Sequence, residues 1–480
     1  MHPVDYTGPA LLASPHLIGI GDAGMPGLAQ LLRERGARLT GCAHPQDIPA
    51  HLADLGIGVV PGHDRGHVRA DMSALVSAAN SLPRQAETTR AREMCLPILD
   101  HTEALGLLLA ATPTSIAVAG SHSTTHTAGA LTRALGYRNP AWALLTPPVG
   151  RPAGHHSGGD LLIAELGPEA DPGECCEPTL TVITAVTANP PHHDDHETAL
   201  DELEALARRS QIVVLPTWDT GCAQLAQRLA KQKPGPRVVS VGQGRGSDLR
   251  ITKLATDKNG STLTLHHWDG KTHALRLLPP GRHAAKAAAL AMAGALALDS
   301  AASDVARGLE QYRGIERSLT VLGRQEGVTV VESLARHPAE IADDLTAART
   351  LATGRIVAVY EPSHWSRTNA QARAIGGQLA TADELVLLPL HDRRRADTPD
   401  LSTGTDAMAR AAAVSGLDNH VHTLDLPGDD LPAAGIEHLL VKLAHPGDTV
   451  LLIGTGHTVR LGPRLLFALG APGVPVPQDL

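Results

Sequence analysis

Short apolar runs alternate along most of the chain with glycine- or serine-containing turns, and each turn leads into an Ala/Leu-rich stretch of helical period. The unit is plainest in "HLIGIGDAGMPGLAQLLRERG", "SIAVAGSHSTTHTAGALTRALG" and "RIVAVYEPSHWSRTNAQARAIGGQLA". A short apolar run bounded by turn residues predicts a buried strand, and the periodic stretch after it predicts a helix laid on the sheet. Repetition of strand, turn and helix predicts α/β domains with parallel sheets, whose ligands sit beyond the C-terminal ends of the strands. The pattern restarts near residues 16, 115 and 355. It therefore predicts three domains, 1–112, 113–314 and 315–480, the last opening on "LTVLGRQEGVTVVES".

Composition narrows this picture. A chain of 480 residues exceeds a single core and suits a few domains of about 150 residues each. Aromatic residues make up 2% against 42% apolar residues overall, so the cores are built from Ala, Leu and Val, and sites based on ring stacking are disfavoured. The net charge of -9, with both signs interspersed, argues against a nucleic-acid partner, which calls for a basic stripe. No run of about 20 uncharged apolar residues occurs, and "MHPVDYTGPALLASPHLIGIGDAG" lacks a basic leader region. The expectation is a soluble, cytoplasmic protein without a membrane partner. Cys42, Cys95, Cys175, Cys176 and Cys222 form no C-x-x-C pair and are odd in number, which predicts free thiols rather than a disulfide framework or a zinc ribbon.

Two turns carry candidate chemistry. Gly19, Gly21 and Gly24 fit G-x-G-x-x-G between a strand and a helix, where glycines admit a ligand phosphate to a helix N-terminus or merely make a tight turn. The next strand ends in Cys42 and Ala43 without the acid that holds an NAD ribose, so a nicotinamide cofactor is disfavoured. The second turn, Gly120, Ser121, His122, Ser123, Thr124 and Thr125, has the outline of a phosphate loop. Its N–H groups suit an anion, and Thr125 stands where a hydroxyl ligates magnesium. Thr124 occupies the lysine position and leaves the charge of a transferring phosphoryl group unmatched, a deficit typically of several kcal/mol. His126 is a poor replacement, being largely neutral at pH 7. The runs "PPHHDDHE" (His192 to Glu197), "AGHHSGGD" and "HDRRRAD" read as solvated loops before they read as metal sites. There is no G-x-S-x-G or H-E-x-x-H.

Taken together, "HLIGIGDAGMPGLA" and "IAVAGSHSTTHTAG" resemble the Mur ligase family, in its UDP-N-acetylmuramate:L-alanine branch, whose loops read G-I-G-G-A-G-M-S-G and A-G-T-H-G-K-T-T. The likeness extends over nearly the whole chain through "PGHD", "LVSAAN", "RNPAW", "VLPTWDTGC", "GVTVVESLARHPAEI", "VAVYEPSHWSRT" and "GDTVLLIGTGH". It implies a Rossmann-like N-terminal domain for a nucleotide-sugar-like ligand, a P-loop ATPase-like central domain and a Rossmann-like C-terminal domain. It also implies an ATP-dependent joining of a carboxylate to an amine through an acyl phosphate. Carried over residue by residue, it implies N-terminal ligand binding at Gly19, Gly21, Asp22, Gly24, Met25 and His63, and a phosphate loop from Gly120 to Thr125. Magnesium would be held at Thr125 and Glu165, and substrate positioned by His337, Arg367 and Arg317.

The departures gather on the ATP chemistry. Besides Thr124, the family's T-N-I-E-x-D-H appears as "TAVTANP", with Thr187, Asn189 and Pro190 for Glu, Asp and His, and its H-N-x-x-N keeps His283 but has Ala284 and Ala287 for the amides. Glu332, Ser333 and Arg336 also replace Asp, Asp and His. Mg-ATP, which the resemblance implies, is therefore expected to be used poorly. Two main readings follow: a divergent acid–amine ligase of specialised metabolism, or a non-ligating protein that binds small molecules, serves as a partner subunit or runs an ATP-independent reaction. A metal-dependent activity of the His-rich run ranks third. Whether the protein is a monomer or homodimer, and whether a partner subunit completes the site, stays open.

Overall fold

In the computed structural model, the described residues are 8–78, 85–167, 176–188, 195–231, 234–362, 365–389, 402–417, 420–424 and 433–470. The apolar runs form strands in three sheets. The first consists of β1 (His16–Ile18), β2 (Thr40–Ala43), β3 (Gly58–Pro61), β4 (Leu75–Ser77) and β5 (Ile98–Asp100), in the order β3-β2-β1-β4-β5 and parallel throughout. Because β1 lies between β2 and β4, the chain reverses its direction of winding there. The first glycine turn leaves β1 at this switch point, where α/β sheets place ligands.

The second sheet runs β15-β14-β13-β12-β11-β10-β6-β9-β7-β8. Its strands are β6 (Thr114–Ala119), β7 (Ala141–Ala143), β8 (Gly154–His155), β9 (Leu161–Glu165), β10 (Leu180–Ile183), β11 (Ile212–Pro216), β12 (Arg237–Gly242), β13 (Leu249–Asp257), β14 (Gly260–His266) and β15 (Thr272–Leu277). Here β6 lies between β10 and β9, parallel to both, so the second turn also leaves a switch point. The third sheet, β16-β17-β21-β18-β19-β20, comprises β16 (Thr320–Gln325), β17 (Val328–Ser333), β18 (Ile356–Tyr360), β19 (Glu384–Leu387), β20 (Val421–Thr423) and β21 (Thr449–Ile453). It is parallel except for the antiparallel hairpin of β16 with β17. The architecture is thus the three-domain α/β arrangement expected from the pattern.

By contacts the chain forms two compact units, the first holding the first sheet and most of the second. One is Met1–Leu254 with Thr262–Leu278 and Ala284–Ile315, and the other is Ala255–Ser261 with Pro279–His283 and Glu316–Leu480. Their cores are aliphatic, as the composition requires: among the described residues Tyr312 is the largest fully buried side chain, followed by Leu, Ile and Met. No helix among the described residues is long and apolar enough to cross a membrane.

Candidate functional site

The central loop is built where β6 ends. Gly120 takes φ 141° and lies against the segment after β10, where an added Cβ would come within 2.5 Å of Thr184 Oγ1. Only glycine tolerates both conditions. The Ser121 N–H donates to the Ala185 carbonyl at 3.0 Å, the Ser121 hydroxyl donates to the Thr187 carbonyl at 2.8 Å and accepts from Thr187 N–H at 2.9 Å, and the Thr184 hydroxyl donates to the His122 carbonyl. Thr187, at the family's glutamate position, thus helps to stitch the loop in place. Ser123 follows in the left-handed region, φ 63° and ψ 14°, and the helix Thr124–Ala134 begins.

At that helix start, Thr124 and Thr125 donate their hydroxyl protons to the same oxygen, Oε1 of Glu165, at 2.8 and 2.5 Å. The other oxygen accepts the Leu145 N–H at 2.9 Å. Register places Glu165 opposite Val118, and it is fully buried. The structure therefore brings together both expected magnesium residues, Thr125 and Glu165, and adds Thr124 to them. The local charge is negative: burial and the Glu165 charge push the Tyr312 phenol above its ordinary range. His126 is tied to that phenol, with Nδ1 at 3.1 Å from its oxygen. On the helix Arg282–Ala297, Ala284 and Ala287 are buried, while Asn189 and Pro190 lie outside the described residues.

The N-terminal turn is held by its own backbone. Gly19 and Ile20 N–H groups both donate to the Cys42 carbonyl at 2.8 and 3.1 Å, Asp22 N–H donates to Gly19, and Met25 N–H donates to Asp22. A Cβ on Gly21 would lie 1.8 Å from the Asp47 carbonyl oxygen, so this glycine admits the chain itself. Gly24 (φ 83°) starts the helix Met25–Glu34 and packs on His101, and Met25 is a core residue with no exposure. His63 faces Cys42 and Glu87, with Nδ1 at 3.3 Å from Sγ and 3.3 Å from Oε2.

In the C-terminal unit, His337 caps the helix Pro338–Leu351: its ring accepts the Ala339 N–H, and Glu340 reaches back to the His337 N–H. Arg317 takes a left-handed backbone (φ 59°), pairs with Glu332 at 3.3 Å and donates to the Gly454 carbonyl. Burial pulls the Arg336 guanidinium below its usual range. Arg367 lies in the helix Trp365–Leu379, with its side chain outside the described set.

A residue missed by sequence reasoning is Glu361, just after β18. Its carboxylate receives the N–H groups of Gly456, His457 and Thr458 at 2.9–3.1 Å, and a ring nitrogen of His457 lies 2.7 Å away. It closes the N-terminus of the helix His457–Gly470 with an internal anion. Glu361→Gln should lower stability by about 1–2 kcal/mol through loss of charge-assisted bonds. Urea unfolding measures this, and an unchanged midpoint would mean that the amide replaces the carboxylate in full. Of the His-rich run, His192, His193 and Asp194 lie outside the described residues. Asp195 is not a loop residue but the cap of the helix His196–Arg209, accepting Thr198 N–H, while His196 meets Gln224 and Glu197 pairs with Arg228.

Residues 14–112 match "Mur ligase family, catalytic domain", and residues 317–456 match "Mur ligase, glutamate ligase domain". The UDP-N-acetylmuramate–L-alanine ligase of Streptomyces avermitilis is 30% identical, with 96% of this chain and 98% of that one aligned. Its counterpart in Kineococcus radiotolerans is 33% identical over 96% of this chain and 97% of its own. Among solved structures, UDP-N-acetylmuramate-alanine ligase of Thermotoga maritima superposes with a TM-score of 0.74 at 18% identity, covering 95% of this chain and 98% of that one. A murein peptide ligase of Psychrobacter arcticus gives 0.70 at 18% identity, with 96% and 100% covered.

Proposed function

Since the chain belongs to the Mur ligase family, we propose that it keeps the acid–amine ligase scaffold of the UDP-N-acetylmuramate:L-alanine branch with ATP-driven ligation impaired, and acts outside cell-wall synthesis. One observation carries this reading: Thr124, at the lysine position, spends its hydroxyl on Glu165. Phosphoryl transfer depends almost wholly on positioning and on matching the charge of the phosphates. A threonine facing a buried carboxylate supplies no positive charge, and the Glu165 charge disfavours an approaching polyphosphate.

Thr125 Oγ1 and the Glu165 carboxylate are hard oxygen donors that suit magnesium, and the loop amides suit an anion. The fit fails at the cation that should face the phosphates and at the buried alanines where nucleotide amides are expected. The switch point at the end of β1 is where α/β sheets place ligands, which supports a nucleotide-sugar-like or other small ligand there, although Gly21 itself admits the Asp47 carbonyl and not a phosphate.

A second reading, a working ligase, is favoured by the survival of the Thr125–Glu165 pair and by end-to-end alignment with named ligases. Calorimetric titration of the full chain with Mg-ATP separates the two. The impaired reading expects no binding tighter than about 1 mM, roughly 4 kcal/mol of binding free energy. Micromolar affinity would return the protein to the ATP-dependent ligases, and incubation with ATP, an amine and a carboxylate should then yield ADP, phosphate and an amide.

A further inference from the structure

Strand register and chain topology gather a set of chemically capable side chains behind the first glycine turn. His16 opens β1 and pairs with Thr40, while Cys42 lies two residues on in β2 opposite Ile18, so His16 and Cys42 share one face of the sheet. His67 ends the 3-10 turn Arg65–His67 after β3, and Glu87 lies on the helix Gln85–Glu93 packed over that face. Glu87 Oε1 is 3.0 Å from Cys42 Sγ, 3.2 Å from His67 Nδ1 and 4.0 Å from His16 Nε2. One donor atom from each of these four residues lies within 4.8 Å of every other, and among the described residues no other such group of three or more forms.

We propose that His16, Cys42, His67 and Glu87 form a binding site for a divalent transition-metal ion, zinc by preference, with His63 at its open edge. Zinc bonds of 2.0–2.3 Å set tetrahedral donors about 3.3–3.8 Å apart, which is the scale of the spacings here. The donor types, imidazole and thiolate with one carboxylate, suit zinc and not magnesium or calcium.

Two further observations point to a ligand. His16 is 1% exposed and its Nε2, aimed into the cluster, makes no hydrogen bond, although buried polar atoms are nearly always paired. Its other nitrogen is fixed by Thr40 Oγ1 at 2.8 Å, an outer contact of the kind that orients a metal-bound imidazole. Secondly, Glu87 is fully buried against imidazoles and a thiol, none of which carries a fixed positive charge. On binding, the Cys42 thiol loses its proton to solvent, and a dication with one thiolate and one carboxylate gives a neutral buried site, which removes the penalty of a lone charge. The metal would join four separate segments of the N-terminal region. Because Cys42 also holds the glycine turn through its carbonyl, it would fix that turn as well.

The test is titration of the chelator-treated full chain with zinc chloride, followed by substitution with cobalt(II). One equivalent of zinc should bind and raise the unfolding temperature. The cobalt form should show visible bands of tetrahedral intensity with a near-ultraviolet thiolate-to-cobalt band. Cys42→Ser and His16→Gln should each weaken zinc more than about 100-fold, beyond the loss of an outer contact, and Cys42→Ser should abolish the ultraviolet band. His196→Ala should change neither. Zinc affinity unaltered in both cluster variants, or no stoichiometric zinc, would overturn the assignment. Should the variants not fold, absence of the thiolate band from wild-type cobalt protein overturns it alone.

Discussion

The double substitution Ser123→Gly/Thr124→Lys is expected to raise affinity for Mg-ATP by about 100-fold or more, equivalent to roughly 2.7 kcal/mol. Two effects act together. At Ser123 the backbone already sits at φ 63°, a conformation that costs a non-glycine residue roughly 1 kcal/mol and glycine little. The glycine therefore frees the turn without moving it. At Thr124 an ammonium replaces a hydroxyl at the first residue of the helix, adding a positive charge where a β- or γ-phosphate would lie. The new charge also faces buried Glu165, so the loop loses a destabilising electrostatic field as it gains an attractive one. Calorimetry on both proteins gives the ratio. A ratio near one with weak binding in both would place the lesion on the nucleotide-amide side, at Ala284 and Ala287. Tight binding by wild type would overturn the impaired reading itself.

How far such features are legible in a sequence depends on the distance over which they are specified. The strands at residues 16, 115 and 355 stand out because an apolar run, a small-residue turn and a periodic helix follow one another locally, and they emerge as β1, β6 and β18. The threonine at the lysine position was equally legible, being part of a contiguous loop. Its engagement with Glu165, 41 residues away, was not, because it depends on β6 and β9 lying side by side. Gly21 illustrates a different limit: a glycine that admits a ligand and one that admits the Asp47 carbonyl look alike in one dimension. The cluster of His16, Cys42, His67 and Glu87 carries no short-spacing signature, since each member comes from a different segment. Only strand register relates two of its members, His16 and Cys42, which share one face of the adjacent strands β1 and β2.

Asp344→Asn is expected to stabilise the protein by about 2–4 kcal/mol at pH 8 and to have little effect near pH 4. Asp344 is 4% exposed and its carboxyl is raised to about 7, chiefly by burial, with Glu340 and Asp343 adding in the same direction. The Ser333 hydroxyl, donating at 2.5 Å, opposes the shift without cancelling it. An unfolded aspartate titrates near 4. With the folded value the higher one, the native state binds the extra proton. The stability this confers is complete below about pH 4 and is lost as pH rises through about 7, where the buried carboxylate must ionise. A carboxyl held near 7 rather than near 4 corresponds to roughly 4 kcal/mol at full ionisation, and relaxation around the charge lowers the realised value. Asparagine keeps an acceptor for Ser333 and never ionises, so the difference between variant and wild type should open between pH 4 and 7 and then level off. Urea unfolding across that range measures it. His283 Nδ1 lies 3.8 Å from the other carboxyl oxygen. If an imidazolium there held Asp344 as an ion, the substitution would destabilise at neutral pH instead, so the sign of the change at pH 7 decides whether the carboxyl is buried as an acid or as one half of an ion pair.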